Sequence, residues 1–202
     1  MTKLSLLNNQ RIENIKDCAK IVSFNKTKGL IVECGVFKGG SAIEMIKTFQ
    51  KLNDERQFLL FDTFEGMPEM GKYDKKPREH ITWRKDWNKA SVWEVFNNIK
   101  SKCGPAPAQA FPGLIEKTLT NEVIFEEKID EEGIALLHLD MDFYSPTKHA
   151  LKMLFSYINP GGYIIIDDYG AWEGCRKACN EFFGDRMDNF TKGDWSQRIL
   201  KV

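Results

Sequence analysis

The sequence predicts a single α/β domain over residues 1–202, built on a mostly parallel sheet with helices on both faces. Three observations predict it. Stretches with helical spacing of apolar residues alternate with short apolar runs, those runs are bounded by glycines and acids, and no internal repeat, low-complexity tract or linker interrupts the alternation. A chain of 202 residues is long enough to bury roughly 70% of its unfolded surface around one core.

The elements follow in order. Ile12, Ile15, Cys18, Ile21 and Val22 recur at helical spacing, and LIVECG reads as a buried strand flanked by Gly29 and Gly35. SAIEMIKTFQKL is the next helix and QFLLFD the next strand. A long irregular segment follows Asp62, until Ser91 and Glu94 form a capping-box signature for the helix VWEVFNNIKSKC, which Gly104 ends. AQAFPG and GIALLHLD read as strands, and Ser145 with Pro146 has N-cap and N1 character for the helix TKHALKMLFSYI. GGYIIIDDYG is a further strand, GCRKACNEFF a further helix, and two short strands near MDNF and QRILKV close the chain.

Composition narrows the partners. Lys plus Arg and Asp plus Glu are 29 each, a formal net charge of zero, so nothing global points to nucleic acid or an anionic membrane surface. The opening MTKLSLLNNQ lacks the apolar centre of a signal peptide, and no apolar run approaches the roughly 20 residues that span a bilayer, so a soluble protein is expected. Five scattered cysteines without the paired spacings of a zinc site suit a reducing cytoplasm, and Cys175 and Cys179 read as packing residues of one helix.

In a parallel sheet of this kind ligands bind beyond the carboxyl ends of the strands, where strand order reverses. ECGVFKGGS has the character of such a site: Glu33 ends the strand, Gly35, Gly39 and Gly40 permit a tight turn, and the next helix begins with N–H groups directed at the crevice. It lacks GxGxxG spacing, which weakens a dinucleotide reading while leaving other nucleoside ligands open. Asp62, at the next strand end, is placed to accept hydrogen bonds from both ribose hydroxyls.

The acids are the stronger signal. Asp140 and Asp142 stand two apart in HLDMDFYSPT, at the end of one apolar run, and Asp167 and Asp168 end the next. Residues i and i+2 of a strand share a face, so these carboxylates would repel one another unless a cation or a proton intervened. An all-oxygen donor set with no histidine cluster suits Mg²⁺ or Ca²⁺ rather than zinc, and His138 reads as a core histidine. A cation there would acidify a substrate hydroxyl, and one further carboxylate could take its proton.

IVECGVFKGGSA, FDTFEGMP, LLHLDMDFYSPTKHAL and NPGGYIIIDDYG, in this order, resemble the macrocin O-methyltransferase family, metal-dependent sugar O-methyltransferases that use S-adenosylmethionine. The resemblance runs from about Leu6 to the end of the chain. It implies a class I methyltransferase, Rossmann-like fold: a mostly parallel seven-stranded sheet with a C-terminal antiparallel strand pair. It further implies Asp140, Asp167 and Asp168 as magnesium ligands and Asp142 as the general base. The implied S-adenosylmethionine site comprises Glu33, Gly35, Val36, Gly39, Gly40, Ser41, Asp62, Thr63, Gly113 and Asp140, with Phe111 nearby. Met141 stands where many family members have glycine, which alters the space around the metal.

The segment 67–89 reads as a lid. In it Lys72, Lys75, Lys76, Arg78, Arg84, Lys85 and Lys89 outnumber Asp74, Glu79 and Asp86, an excess that either meets a phosphate-bearing acceptor or is solvated. Trp83 and Trp87 either lie against a sugar ring or pin the loop to the core. The expected activity is Mg²⁺-dependent methylation of a sugar hydroxyl, on a glycosylated metabolite, a nucleotide sugar or a surface polysaccharide precursor. A phenolic or catechol acceptor, a nucleotide-binding module without catalysis and an NAD-dependent oxidoreductase are the alternatives. The oligomeric state is left open, a homo-oligomer included.

Overall fold

The computed structural model describes residues 3–74 and 83–202. Strands and helices alternate as α1 (Asn9–Phe24), β1 (Leu30–Cys34), α2 (Gly40–Lys51), β2 (Phe58–Asp62), α3 (Val92–Cys103) and β3 (Ala108–Pro112). Three short helices follow, α4 (Ile115–Thr118), α5 (Asn121–Glu126) and α6 (Ile129–Glu132). The chain then runs through β4 (Ile134–Leu139), α7 (Tyr144–Leu154), β5 (Ile158–Ile166), α8 (Glu173–Phe183), β6 (Thr191–Lys192) and β7 (Arg198–Lys201). The short helices were not legible because one turn carries no apolar periodicity.

Among the described residues the sheet has seven strands in the order β3-β2-β1-β4-β5-β7-β6. The first five pair in parallel, while β7 runs antiparallel to β5 and to β6, as an antiparallel C-terminal pair requires; the strand expected near MDNF is displaced, because Gly184–Asn189 forms a 3-10 helix and β6 begins only at Thr191. β1, β4 and the end of β5 are buried on both faces, which is why they read as continuous apolar runs. Alternate residues feed two cores. Ile31, Leu60, Leu136 and Ile165 pack with α1, α2 and α3, whereas Val32, Leu59, Leu137 and Ile164 pack with the later helices.

Strand order reverses between β1 and β4, so the turns that follow those two strands flank the crevice of the switch point. The Ser91 cap holds as expected, its hydroxyl accepting the Glu94 N–H at 3.2 Å. The Ser145 cap does not. α7 begins at Tyr144, and the cap comes from a distant residue: Asp74 Oδ1 accepts the Tyr144 N–H at 2.7 Å. Ser145 instead donates its hydroxyl to Glu116 at 2.6 Å.

Candidate active site

The strand ladders set the geometry of the rim. Cys34 pairs with Leu139, and Leu139 with Ile166, so the next residue of each strand, Gly35, Asp140 and Asp167, comes into line across the crevice. Backbone bonds extend the ladder by one step, Asp140 N–H to Cys34 O and Asp167 N–H to Leu139 O, both at 2.8 Å. Gly35 takes φ +89°, and a Cβ built on it would lie 1.8 Å from the Asp140 carbonyl oxygen. Only glycine lets β1 and β4 approach this closely. Gly39 precedes α2, and a Cβ on Gly40 would meet Ser5 at 2.5 Å, because the N-terminal segment crosses the start of that helix.

One cleft of about 650 Å³ opens over this rim. Of the residues singled out from sequence, Gly35, Val36, Ser41, Asp62, Thr63, Gly113, Asp140, Asp142, Asp167 and Asp168 line it. Glu33, Gly39 and Gly40 do not. Glu33 lies beneath the floor with no exposed surface, and its Oε1 is 2.8 Å from Nδ1 of an equally buried His138. Glu33 Oε2 and His138 Nε2 have no partner, so His138 is a core residue but an incompletely satisfied one. Phe111 stands back from the cleft and stacks on Phe61, centroids 4.5 Å apart.

Asp62 ends β2 and lines the cleft, and both its oxygens already have donors. Oδ2 accepts the N–H of Val36 at 2.6 Å and of Phe37 at 2.9 Å, and Oδ1 accepts that of Phe64 at 2.8 Å. The acid braces the glycine turn, and a ribose hydroxyl would have to share it. Thr63, whose hydroxyl donates to Gly66 O at 2.7 Å, is beside it on the cleft wall.

The four aspartates converge. One carboxylate oxygen from each of Asp140, Asp167 and Asp168 lies within 4.8 Å of the others. The expectation that Asp140 and Asp142 share a strand face is corrected, because β4 ends at Leu139 and the following turn carries Asp142 into the left-handed region at φ +60°. Its N–H donates to Asp168 Oδ2 at 2.9 Å, so Asp142 stands beside the group of three as a cleft-lining residue outside it. Burial, reinforced by the neighbouring acids, pushes Asp140 and Asp142 well above the usual carboxylate range, and burial with Asp167 pushes Asp168 up to about 7. Four acids held this way call for positive charge.

Part of that charge was missed in the sequence. Arg11 reaches Asp167 Oδ2 through Nη1 at 2.5 Å, and Gln197 Nε2 donates to Asp167 Oδ1 at 3.0 Å. A signal for Arg11 existed: with Ile15, Cys18 and Val22 it lies on the buried stripe of α1, where a charged residue needs a partner. Gln197 had none, being in a turn brought in by the hairpin.

The described parts of the segment 67–89 form one wall of the cleft. Met67, Pro68, Glu69, Gly71, Asp74, Lys85 and Asn88 line the cleft, whereas Lys75, Lys76, Arg78 and Glu79 lie outside the described residues. Trp83 packs against the core, and Trp87 is 41% exposed; neither lines the cleft.

The model of the macrocin-O-methyltransferase (TylF) family matches residues 2–191. Demethyldecarbamoylnovobiocin O-methyltransferase of Streptomyces niveus is 29% identical over 178 residues, 86% of this chain and 65% of that protein. A tetracenomycin-C rhamnosyl 4'-O-methyltransferase of Streptomyces olivaceus is 31% identical over 182 residues, 87% of this chain and 66% of that protein. The chain thus spans just under two thirds of each of these relatives. The solved structure of the O-methyltransferase NovP superposes with a TM-score of 0.83 at 24% identity, covering 99% of this chain and 82% of that one, which shows a shared class I methyltransferase fold. With the glycine turn, the paired acids and the C-terminal hairpin all inside the matched or superposed span, the chain belongs to the macrocin O-methyltransferase family.

Proposed function

We propose that this protein transfers a methyl group from S-adenosylmethionine to a sugar hydroxyl, with Mg²⁺ held by Asp140, Asp167 and Asp168 and with Asp142 as general base. The observation that carries the proposal is the convergence of those three carboxylates within 4.8 Å at the switch point, in one cleft with the glycine turn and Asp62. The donor set fits the ion: three hard oxygen ligands, mutually repulsive without a cation, and no histidine or cysteine in the group. Family membership supports both the chemistry and the acceptor class, since the two relatives are named for methylation of a novobiocin precursor and of a rhamnosyl group.

Bound there, Mg²⁺ would lower the pKa of an acceptor hydroxyl, and S-adenosylmethionine would supply the methyl group. The chain's own residues do the rest. Asp142, beside the three ligands and open to the cleft, accepts the hydroxyl proton. Val36 and Phe37, tied to Asp62, hold the glycine turn that would bind the cofactor, with Thr63 and Gly113 on the same cleft wall. Holding both reactants in one cleft replaces a bimolecular encounter, an effect worth several kcal/mol, about 7–11 at its upper range.

Calorimetric titration of S-adenosylmethionine and S-adenosylhomocysteine, with Mg²⁺ and with chelator, tests the cofactor reading, and NAD is the control. Binding of both sulfur ligands and not of NAD is expected. A methyl-transfer screen across sugars, nucleotide sugars and catechols then tests the acceptor; transfer to catechols alone would replace the sugar reading with the phenolic one. Absence of sulfur-ligand binding under both metal conditions would overturn the proposal.

A further inference from the structure

A carboxylate that ligates a cation needs its orientation set by something other than the cation. At Asp167 the structure shows what sets it. Oδ2 receives Arg11 Nη1 at 2.5 Å, Oδ1 receives Gln197 Nε2 at 3.0 Å, and the backbone carbonyl accepts the Ser196 hydroxyl at 2.7 Å. Arg11 is itself locked from three sides: its Nε donates to Asp194 Oδ2 at 2.8 Å, its guanidinium carbon lies 5.3 Å from the centre of the Trp195 ring, and only 9% of its surface is exposed. Asn8 holds this arrangement at the helix start. Its Oδ1 caps the Arg11 N–H at 2.9 Å while its Nδ2 donates to Asp194 at 3.0 Å.

From this geometry we infer that Arg11 is a positioning residue for the cation site, presenting Asp167 toward Asp140 and Asp168; the inference rests on the metal reading proposed above. Its charge fits the role. Arg11 divides its one positive charge between Asp167 and Asp194, so the four clustered carboxylates keep a net negative charge that a divalent cation would offset. Its place in the chain matters too. Arg11 sits in the first turn of α1, shortly after the segment Ser5–Leu7, and lines the same cleft as that segment.

The test is titration of Mn²⁺, followed by electron paramagnetic resonance, with Mg²⁺ in competition, into the full chain and its Arg11→Met and Arg11→Lys variants. Thermal unfolding and metal-free S-adenosylhomocysteine titration are run on each. Arg11→Met is expected to weaken Mn²⁺ binding about 10- to 100-fold, as loss of a ligand's supporting partner does, while S-adenosylhomocysteine affinity without metal is kept. If Arg11→Met does not unfold cooperatively, Arg11→Lys carries the test: it keeps the charge but loses the two-carboxylate fork, and a smaller loss of Mn²⁺ affinity is expected. Unchanged or tighter Mn²⁺ binding in the folded variants would overturn the inference, making Arg11 a packing residue or a rival cation. Failure of the unmodified protein to bind Mn²⁺ would instead sink the metal reading itself and the inference with it.

Discussion

Glu33 and His138 face one another across β1 and β4, Oε1 to Nδ1 at 2.8 Å, both without exposed surface and each with one polar atom lacking a partner. The pair lies two ladder steps below Gly35 and Asp140, beneath the floor of the cleft. Removing one member strands the other in an apolar surround. His138→Leu should therefore cost about 3–5 kcal/mol of unfolding free energy, measured by urea denaturation, while Glu33→Met combined with His138→Leu should recover most of that loss. A double variant no more stable than the single would show that the two residues are not coupled.

Asp142 already adopts a left-handed conformation that asparagine tolerates well, so Asp142→Asn removes the proposed base without disturbing the turn. Turnover should fall by about 10²- to 10⁴-fold, the usual contribution of a general base, with S-adenosylhomocysteine affinity unchanged. Loss of cofactor binding in this variant would remove Asp142 from the base role.

At Gly35 a side chain meets two obstacles, φ +89° and the Asp140 carbonyl 1.8 Å from the added carbon. The backbone conformation alone should cost Gly35→Ala about 1–3 kcal/mol, and separation of β1 from β4 adds to it. Calorimetry should find cofactor affinity and melting temperature both lowered; normal cofactor affinity would mean that the turn tolerates a wider crevice.

Asp74 ties the segment 67–89 to the helices beside it, accepting the Gly71 N–H at 2.9 Å and capping α7 through Tyr144. A Cβ on Gly174 would fall 1.8 Å from its carboxylate, so α8 leaves a notch for it. Asp74→Ala should cost about 0.5–2 kcal/mol and speed proteolysis within residues 67–89. Unaltered cleavage kinetics would separate the cap from anchoring of this segment.

Asp194 gives a pH signature. Burial raises its pKa, but the N–H of Gln197, Arg11, the N–H of Ser196 and Asn8 outweigh it and hold the group at about 2. A depressed carboxylate contributes stability that is fully present above its ordinary value of 3.8 and is lost as pH falls through the folded value. The melting temperature of the unmodified protein should accordingly fall more steeply than that of Asp194→Asn between about pH 4 and pH 2, the window set by those two values. Parallel curves for the two proteins would assign the acid sensitivity elsewhere.

The strand and helix pattern, the glycine turn, Asp62 and the paired acids were legible because each is a local signal, an apolar period, a turn residue or an acid at a strand end, whereas the antiparallel C-terminal pair was implied only by the family resemblance. Chain-local reading failed where a partner lay far off in sequence. It assigned the α7 cap to Ser145, when Asp74 supplies it from 70 residues away. It set Asp140 and Asp142 on one face, when the end of β4 at Leu139 and a left-handed turn separate them. The family resemblance put Glu33 at the cofactor, whereas His138 holds it under the floor. By itself, then, the sequence determined the order of elements and the chemical types gathered at the rim. Which acids meet, which oxygens are already taken, and that Arg11 and Gln197 share Asp167 were decided by the tertiary structure, because strand register and the docking of α1 and the hairpin set distances that no local pattern encodes.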